Sequence, residues 1–269
     1  FRLFSLPTAT TNFNDLVVPL WTQGMTGADD TDSNSPDNVW TWDNTSNDNT
    51  NTNWQPVDNL ATTPGAATGF LMFVFEDDDA FNSGVQGGFP KMVTAGATLT
   101  GSVKPTMNTN NGGFTLLGNP YENTIDFEML NRTSLTDVAY VWNPATENWD
   151  SFSPATPGAG ELTGGLIAPL QGFLVETMGT SPAPEVEFVE TAKTTGGIFR
   201  GKKVQAEEPL AVRMELNENE GELTNSAWLS FSEQGSANGR VRGDALELVS
   251  LSSEFAQLAT SKAGTEKLL

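Results

Sequence analysis

The sequence predicts an all-β protein: an internally duplicated β-sandwich-like unit followed by a second antiparallel β module. Composition, strand-like runs and an internal repeat lead to this prediction. Of the 269 residues, 37% are hydrophobic and only 17% are charged, so the polar surface comes mostly from Asn, Thr, Ser and Gly. This mixture favours turn-rich β structure, because helices prefer Glu, Lys, Ala and Leu.

Strand-like runs dominate the chain, and clusters of Gly, Pro, Asn and Asp that are typical of turns separate them. The clearest runs are residues 69–75, 113–117, 139–142 and 172–176. Helix signals are limited to one or two turns, at residues 12–16 and 124–130.

An internal repeat is the most informative feature of the sequence. Five landmarks recur in the same order: a strand ending in proline, a short apolar segment, an aromatic strand, a second tryptophan and a Gly-Phe-Leu strand. They lie at residues 1–7, 13–16, 39–43, 54 and 69–71 in the first copy, and at residues 114–120, 125–130, 139–143, 149 and 172–174 in the second. We therefore expect residues 1–178 to hold two copies of one β unit, about 1–112 and 113–178.

The remainder of the chain differs in composition. Residues 179–206 begin with a Gly/Ser/Pro-rich stretch that predicts a linker, with room for an edge strand. Residues 207–269 predict a second β-sandwich-type module, because residues 210–216 and 227–231 alternate apolar and polar side chains as a hairpin with one wet face does. We expect this module to be truncated and the chain to be a piece of a longer protein.

Charge and composition restrict the function classes. The chain has 34 acidic and 13 basic residues, which gives a net charge of -21. Nucleic acids and anionic membranes repel such a chain, whereas cations are attracted. No histidine and no cysteine are present, which excludes Ser-His-Asp catalysis, the common zinc sites and disulfides. We predict a non-enzyme with no nucleic-acid partner and no membrane insertion.

The best candidate metal site is the acidic loop at residues 29–37. Side-chain oxygens alternate at Asp30, Asp32 and Asn34, and Asp37 closes the loop, which suits the six to eight oxygen ligands of calcium. The alternative is a solvated loop in which Asp and Asn favour turns, and in that case no cofactor is required. A second acidic cluster lies at residues 76–79.

The tryptophans give a second set of candidates. Trp42 and Trp142 occupy equivalent repeat positions, as do Trp54 and Trp149, which favours a structural role for these four. Trp21 and Trp40 flank the acidic loop, so we expect them to be exposed and able to stack against a ligand such as a sugar ring.

Two segments carry a family resemblance. Residues 113–121, with Ile125 and Asp126, contain Gly118-Asn119-Pro120-Tyr121, and residues 167–173 end in Pro169-Leu170-Gln171-Gly172-Phe173. Together they resemble Bacteroidetes-type secreted surface proteins, in the region upstream of the carboxy-terminal sorting domain used by the type IX secretion system. The resemblance implies export, an extracellular or cell-surface location and surface display, and it supplies no catalytic residues.

The expected function is therefore a structural or adhesive module of an exported surface protein or surface filament. Its partners would be other surface proteins or copies of itself. The alternative is a carbohydrate-binding module, accessory to a secreted enzyme, that binds polysaccharide with or without calcium.

Overall fold

The computed structural model describes residues 1–7, 12–17, 20–30, 32, 34–46, 50–75, 98–158, 160–199, 211–217 and 224–230. The predicted all-β class is confirmed, since this part of the chain is mostly antiparallel strands with one short helix, α1 (Phe13–Val17). In chain order the strands are β1 (Arg2–Ser5), β2 (Val39–Trp42), β3 (Trp54–Pro56), β4 (Gly69–Met72), β5 (Phe114–Gly118), β6 (Thr124–Asp126), β7 (Asn131–Thr133), β8 (Ala139–Asn143), β9 (Asn148–Phe152), β10 (Leu166–Ile167), β11 (Gly172–Glu176), β12 (Glu185–Glu187), β13 (Lys193–Thr194), β14 (Ala211–Asn217) and β15 (Thr224–Ser230). Single 3-10 turns lie at Asn51–Asn53, Phe127–Met129, Thr163–Gly165 and Glu190–Ala192.

Two four-stranded sheets form the centre of the molecule, and they have the same topology. The first has the order β1-β4-β2-β3 and the second the order β5-β11-β8-β9, with every pair antiparallel. We call residues 1–75 the amino-terminal unit and residues 98–199 the carboxy-terminal unit.

The registers of the two sheets also correspond. Paired positions in the first sheet match paired positions in the second: Leu3–Leu71 with Leu116–Leu174, Ser5–Gly69 with Gly118–Gly172, Trp40–Leu71 with Tyr140–Leu174, and Trp42–Trp54 with Trp142–Trp149. Equal topology and register support the predicted duplication, which stays a prediction.

Side-chain alternation along the strands divides the interior into three cores. The shared core lies between the two sheets and contains buried residues of both units: Leu3, Leu71, Phe114, Leu116, Val138, Tyr140, Trp142 and Leu174. The neighbouring strand residues point outward, Phe70 into an amino-terminal core and Phe173 into a carboxy-terminal core. Each sheet is therefore apolar on both faces.

The outer face of the second sheet is covered by two small sheets, β10-β6-β13 and β12-β7. Val186, Phe188 and Ala192 fill the carboxy-terminal core. These residues belong to the span predicted as a linker, 179–206. The linker prediction is therefore wrong for residues 185–194, because their apolar side chains pack inside the unit and their strands β12 and β13 pair with β7 and β6.

The predicted hairpin in the carboxy-terminal part of the chain is present. Its strands β14 and β15 pair antiparallel along their whole length, from Ala211 opposite Ser230 to Asn217 opposite Thr224. The Ser226 hydroxyl lies 2.7 Å from the Glu161 carboxylate, to which it donates. The rest of the predicted module at 207–269 lies outside the described residues.

Candidate functional site

The acidic loop is held by hydrogen bonds among its own residues. Asp30 Oδ1 accepts from the Asp32 amide at 2.9 Å, and its Oδ2 accepts from the Ser35 hydroxyl at 2.7 Å. Asp32 Oδ1 accepts from the Asn34 amide at 2.9 Å. The hydrogen bond from the Asp32 amide, and to a lesser extent that from the Ser35 hydroxyl, lowers the pKa of Asp30, because both bonds stabilise its charged form. These contacts are those of successive Asx turns.

The base of the loop is anchored on the amino-terminal unit. The Asp29 carboxylate accepts from the Thr22 amide at 2.9 Å and from its hydroxyl at 3.0 Å. Gly24 has a φ of 86°, and a Cβ built on it would lie 2.8 Å from the Asp37 amide nitrogen. A glycine is needed here both for the left-handed backbone and for the close approach of the loop.

The structure brings the predicted calcium ligands into one loop without forming a metal cluster. No three His, Cys, Asp or Glu side chains are grouped so as to hold a metal ion in the part of the chain that the structure describes. Calcium binding by Asp30, Asp32, Asn34 and Asp37 stays a prediction, and the turn alternative accounts for the contacts of three of them. The second acidic cluster, residues 76–79, lies outside the described residues.

The predicted exposure of Trp21 is wrong. Its side chain is 9% exposed, and its Nε1 donates to Gln23 Oε1 at 3.1 Å. Asn38 fixes the surrounding backbone, because its Nδ2 donates to the Trp21 carbonyl at 2.8 Å and its Oδ1 accepts from the Gln23 amide at 3.0 Å. The local sequence did not reveal this burial, since Asn38 is distant along the chain.

Trp40 is half-buried at the margin of the shared core. Its ring centroid lies 5.9 Å from that of Phe1 in a tilted arrangement. Part of the ring is accessible, so Trp40 is the one residue of the predicted ligand-binding pair that retains the required exposure.

The other four tryptophans form two matching cross-strand pairs in or against the shared core. The ring centroids of Trp42 and Trp54 are 4.8 Å apart at an interplanar angle of 73°, and those of Trp142 and Trp149 are 5.6 Å apart at 68°. Such edge-to-face contacts add to the stabilisation from burial. The positions agree with the structural role expected from the repeat.

Two isolated bridges join the backbones of the two sheets, and we call this place the crossing. Phe4 bridges to Gln171, and Leu117 bridges to Thr68. The Ser5 amide donates to the Leu170 carbonyl at 2.8 Å, and at the corresponding place the Gly118 amide donates to the Ala67 carbonyl, also at 2.8 Å.

Glycines permit this crossing. A Cβ on Gly118 would lie 2.2 Å from the Ser5 Cβ, one on Gly69 would lie 2.4 Å from the Leu117 carbonyl oxygen, and one on Gly172 would lie 2.8 Å from the Phe4 carbonyl oxygen. Sequence reasoning missed these residues as a set. The available signal was the repeat itself, which places glycine at the start of both Gly-Phe-Leu strands.

The outer edge of the first sheet, strand β3, has few free backbone groups to which an additional strand could hydrogen-bond. In the β2–β3 ladder, alternate residues face the partner strand, so Trp54 and Pro56 point their backbone outward. The Trp54 amide already donates to the Asn51 carbonyl, and proline has no amide hydrogen.

The outer edge of the second sheet is also engaged. The Trp149 amide donates to Asn148 Oδ1 at 2.8 Å, and the Ser151 carbonyl accepts from the Leu162 amide at 3.2 Å. The inner edges, β1 and β5, are the strands that the two bridges occupy.

Comparison with known proteins gave no relatives: no protein-family model, no curated protein and no solved structure matches this chain. In the described part of the chain, no helix has the length and apolar character needed to cross a membrane.

Proposed function

We propose that this chain is a non-catalytic structural or adhesive module of an exported surface protein. The observation that carries the proposal is the shared core. Aromatic side chains that a binding site could present are packed between the sheets, with Tyr140 and Trp142 at most 2% exposed. Packing of this kind gives a stiff body suited to display.

The hydrogen bonds of two buried side-chain amides, those of Asn119 and Gln171, support the same function. Asn119 Nδ2 donates to the carbonyls of Asn123 at 2.8 Å and Ala168 at 3.0 Å, and its Oδ1 accepts from the Tyr121 amide at 3.0 Å. Gln171 Nε2 donates to the Leu3 carbonyl at 2.9 Å. These polar groups hold backbone segments together, as buried polar groups in a structural core do.

The occupied sheet edges also suit a protein that is displayed outside the cell. An open edge would recruit strands from other chains and promote aggregation. Because the four edges of the two central sheets are bridged, bonded or ended by proline within the described residues, contact with partners would use side-chain surfaces.

The experiment is localisation on intact cells that make the protein. We expect an antibody against this chain to label unpermeabilised cells, and added protease to remove the label while a cytoplasmic marker survives. A signal confined to the soluble interior fraction would contradict the proposal.

Carbohydrate binding is the alternative function and has less support. Trp21 is buried, and the large hydrophobic side chains that are well exposed among the described residues include no aromatic one. The alternative therefore depends on Trp40. Polysaccharide binding by the whole chain that is lost in Trp40→Ala but kept in Trp21→Phe would favour it over the structural function.

A further inference from the structure

We infer that the contact between the two units is exchangeable, so that the amino-terminal unit of one copy docks on the carboxy-terminal unit of a second copy through the shared core. The partner is thus a second copy of this chain. The inference rests on the proposed function for its biological sense, because exchange would provide a route to a layer or filament.

Each outer core consists almost entirely of residues of its own unit; the exceptions are Phe199, whose ring stacks on Phe4 at 5.5 Å, and Ala67 in the carboxy-terminal core. Phe4, Phe13 and Phe70 pack together on the outer side of the first sheet, with centroid distances of 5.6 Å for Phe4–Phe70 and 5.1 Å for Phe13–Phe70. Phe127 and Phe173 do so on the outer side of the second, at 6.1 Å. The units therefore do not depend on the shared core alone for their folding.

The shared core is composed of residues from both units at corresponding strand positions, Leu3 and Leu71 from one and Leu116 and Leu174 from the other. The Trp42 Nε1 also donates across the contact to the Phe114 carbonyl at 3.2 Å. A contact made of two halves is formed equally well when the halves belong to different chains, since every interaction is retained.

A single stretch of chain, residues 76–97, connects the two units. The covalent link raises the effective concentration of one unit near the other and so favours their contact within one chain. Exchange should therefore become evident at high protein concentration or when the contact within one chain is prevented.

The test prevents closure by disabling a different half in each of two full-length variants. Leu3→Asp buries a charge in the amino-terminal half of the contact, and Leu116→Asp does so in the carboxy-terminal half, where the native side chains are each 1% exposed. Alone, neither variant has two intact halves. When the two variants are mixed in equal amounts, the intact carboxy-terminal unit of Leu3→Asp can pair with the intact amino-terminal unit of Leu116→Asp.

We expect sedimentation to show the mixture at twice the mass of one chain, with each separate variant at the mass of one. The matched control is a chain carrying both substitutions, which should not pair with Leu3→Asp because it lacks an intact amino-terminal half. The inference is overturned if the mixture stays monomeric. It is also overturned if Leu3→Asp dimerises as strongly as the mixture, either by itself or when it is mixed with the double variant. The disabled unit need not fold, since only the intact halves take part.

A second measurement needs no substitution at the contact. Two batches of the unsubstituted chain carrying different fluorophores are mixed, warmed into the unfolding transition and cooled. We expect energy transfer between the labels that rises with protein concentration, and its absence at every concentration would also count against exchange. Failure of exchange would leave surface display standing, and failure of surface labelling would leave exchange standing.

Discussion

The amino-terminal and carboxy-terminal units agree on their inner faces and differ on their outer ones. Both present leucines and paired aromatics to the shared core at corresponding positions. On its outer face the carboxy-terminal unit is covered by the two small sheets that contain β6 and β7, whereas the amino-terminal unit is covered by α1, by irregular segments and by Phe199 of the other unit. The inner face of each sheet must fit the facing sheet, so the two inner faces carry similar residues. The outer faces do not contact each other and can be covered by different elements.

A buried ion pair accompanies the covering of the carboxy-terminal unit. Arg132 pairs with Asp137, with side chains 7% and 10% exposed. Its guanidinium also donates to the carbonyls of Phe127 and Leu130, the latter at 3.0 Å, and lies 4.4 Å from the Phe127 ring centroid. Planar multidentate donation of this kind fixes the segment between β6 and β8 in a way lysine would not.

The largest effect on stability is expected at a pair of corresponding tryptophans, one in each unit, that are buried to different extents. Trp142 is 2% exposed, while Trp42 at the corresponding position is half-buried. We expect Trp142→Ala to lower the free energy of unfolding by about 3–5 kcal/mol. We expect Trp42→Ala to lower it by less, because less of the Trp42 side chain is buried in the folded protein. Urea unfolding of both variants measures the difference. Equal losses would mean that the two pairs contribute alike despite their different burial.

The sequence indicated the inner face better than the outer one. The Gly-Phe-Leu strands and the tryptophan spacing carry a repeat, so the aromatic pairs could be assigned to packing before any contact was known. The burial of Trp21 could not be predicted, because it depends on Asn38 reaching two backbone segments. The left-handed Ala67 and Leu170 were invisible too, since their residue types do not signal a positive φ.

The next largest effect is expected at the crossing of the sheets. Gly118→Ala would place a Cβ 2.2 Å from that of Ser5, and two backbones must then separate. We expect a loss of about 1–3 kcal/mol, the usual cost of overpacking, together with weaker contact between the units. Gly65→Ala is the control, because its Cβ would meet only the Thr68 hydroxyl, at 3.3 Å. If thermal unfolding shows the same loss for both variants, the close crossing is not what requires Gly118.

A smaller effect is expected at the two carbonyls that accept across the crossing. Ala67 and Leu170 have φ angles of 60° and 63°, a region that disfavours Cβ-bearing residues and β-branched ones above all. We expect Leu170→Val to lower stability, because a β-branched residue is more strained at positive φ than leucine is. We expect Leu170→Gly to change stability by less than about 1 kcal/mol, because relief of strain offsets the entropy of glycine. Urea midpoints distinguish the two. A larger loss for glycine than for valine would show that the leucine side chain outweighs the backbone strain.

The smallest effect is expected at the acidic loop of the amino-terminal unit. Asp30 and Asp32 already accept hydrogen bonds from Asp32, Asn34 and Ser35 within the loop, so their turns need no cation. A bound ion stabilises the folded state by mass action, and its removal must therefore lower the melting temperature. We expect EDTA to leave the melting temperature of the whole chain unchanged, and Asp32→Asn to behave as the parent does. A melting temperature that rises with added calcium in the parent, but not in Asp32→Asn, would instead favour the predicted calcium site over the turn alternative.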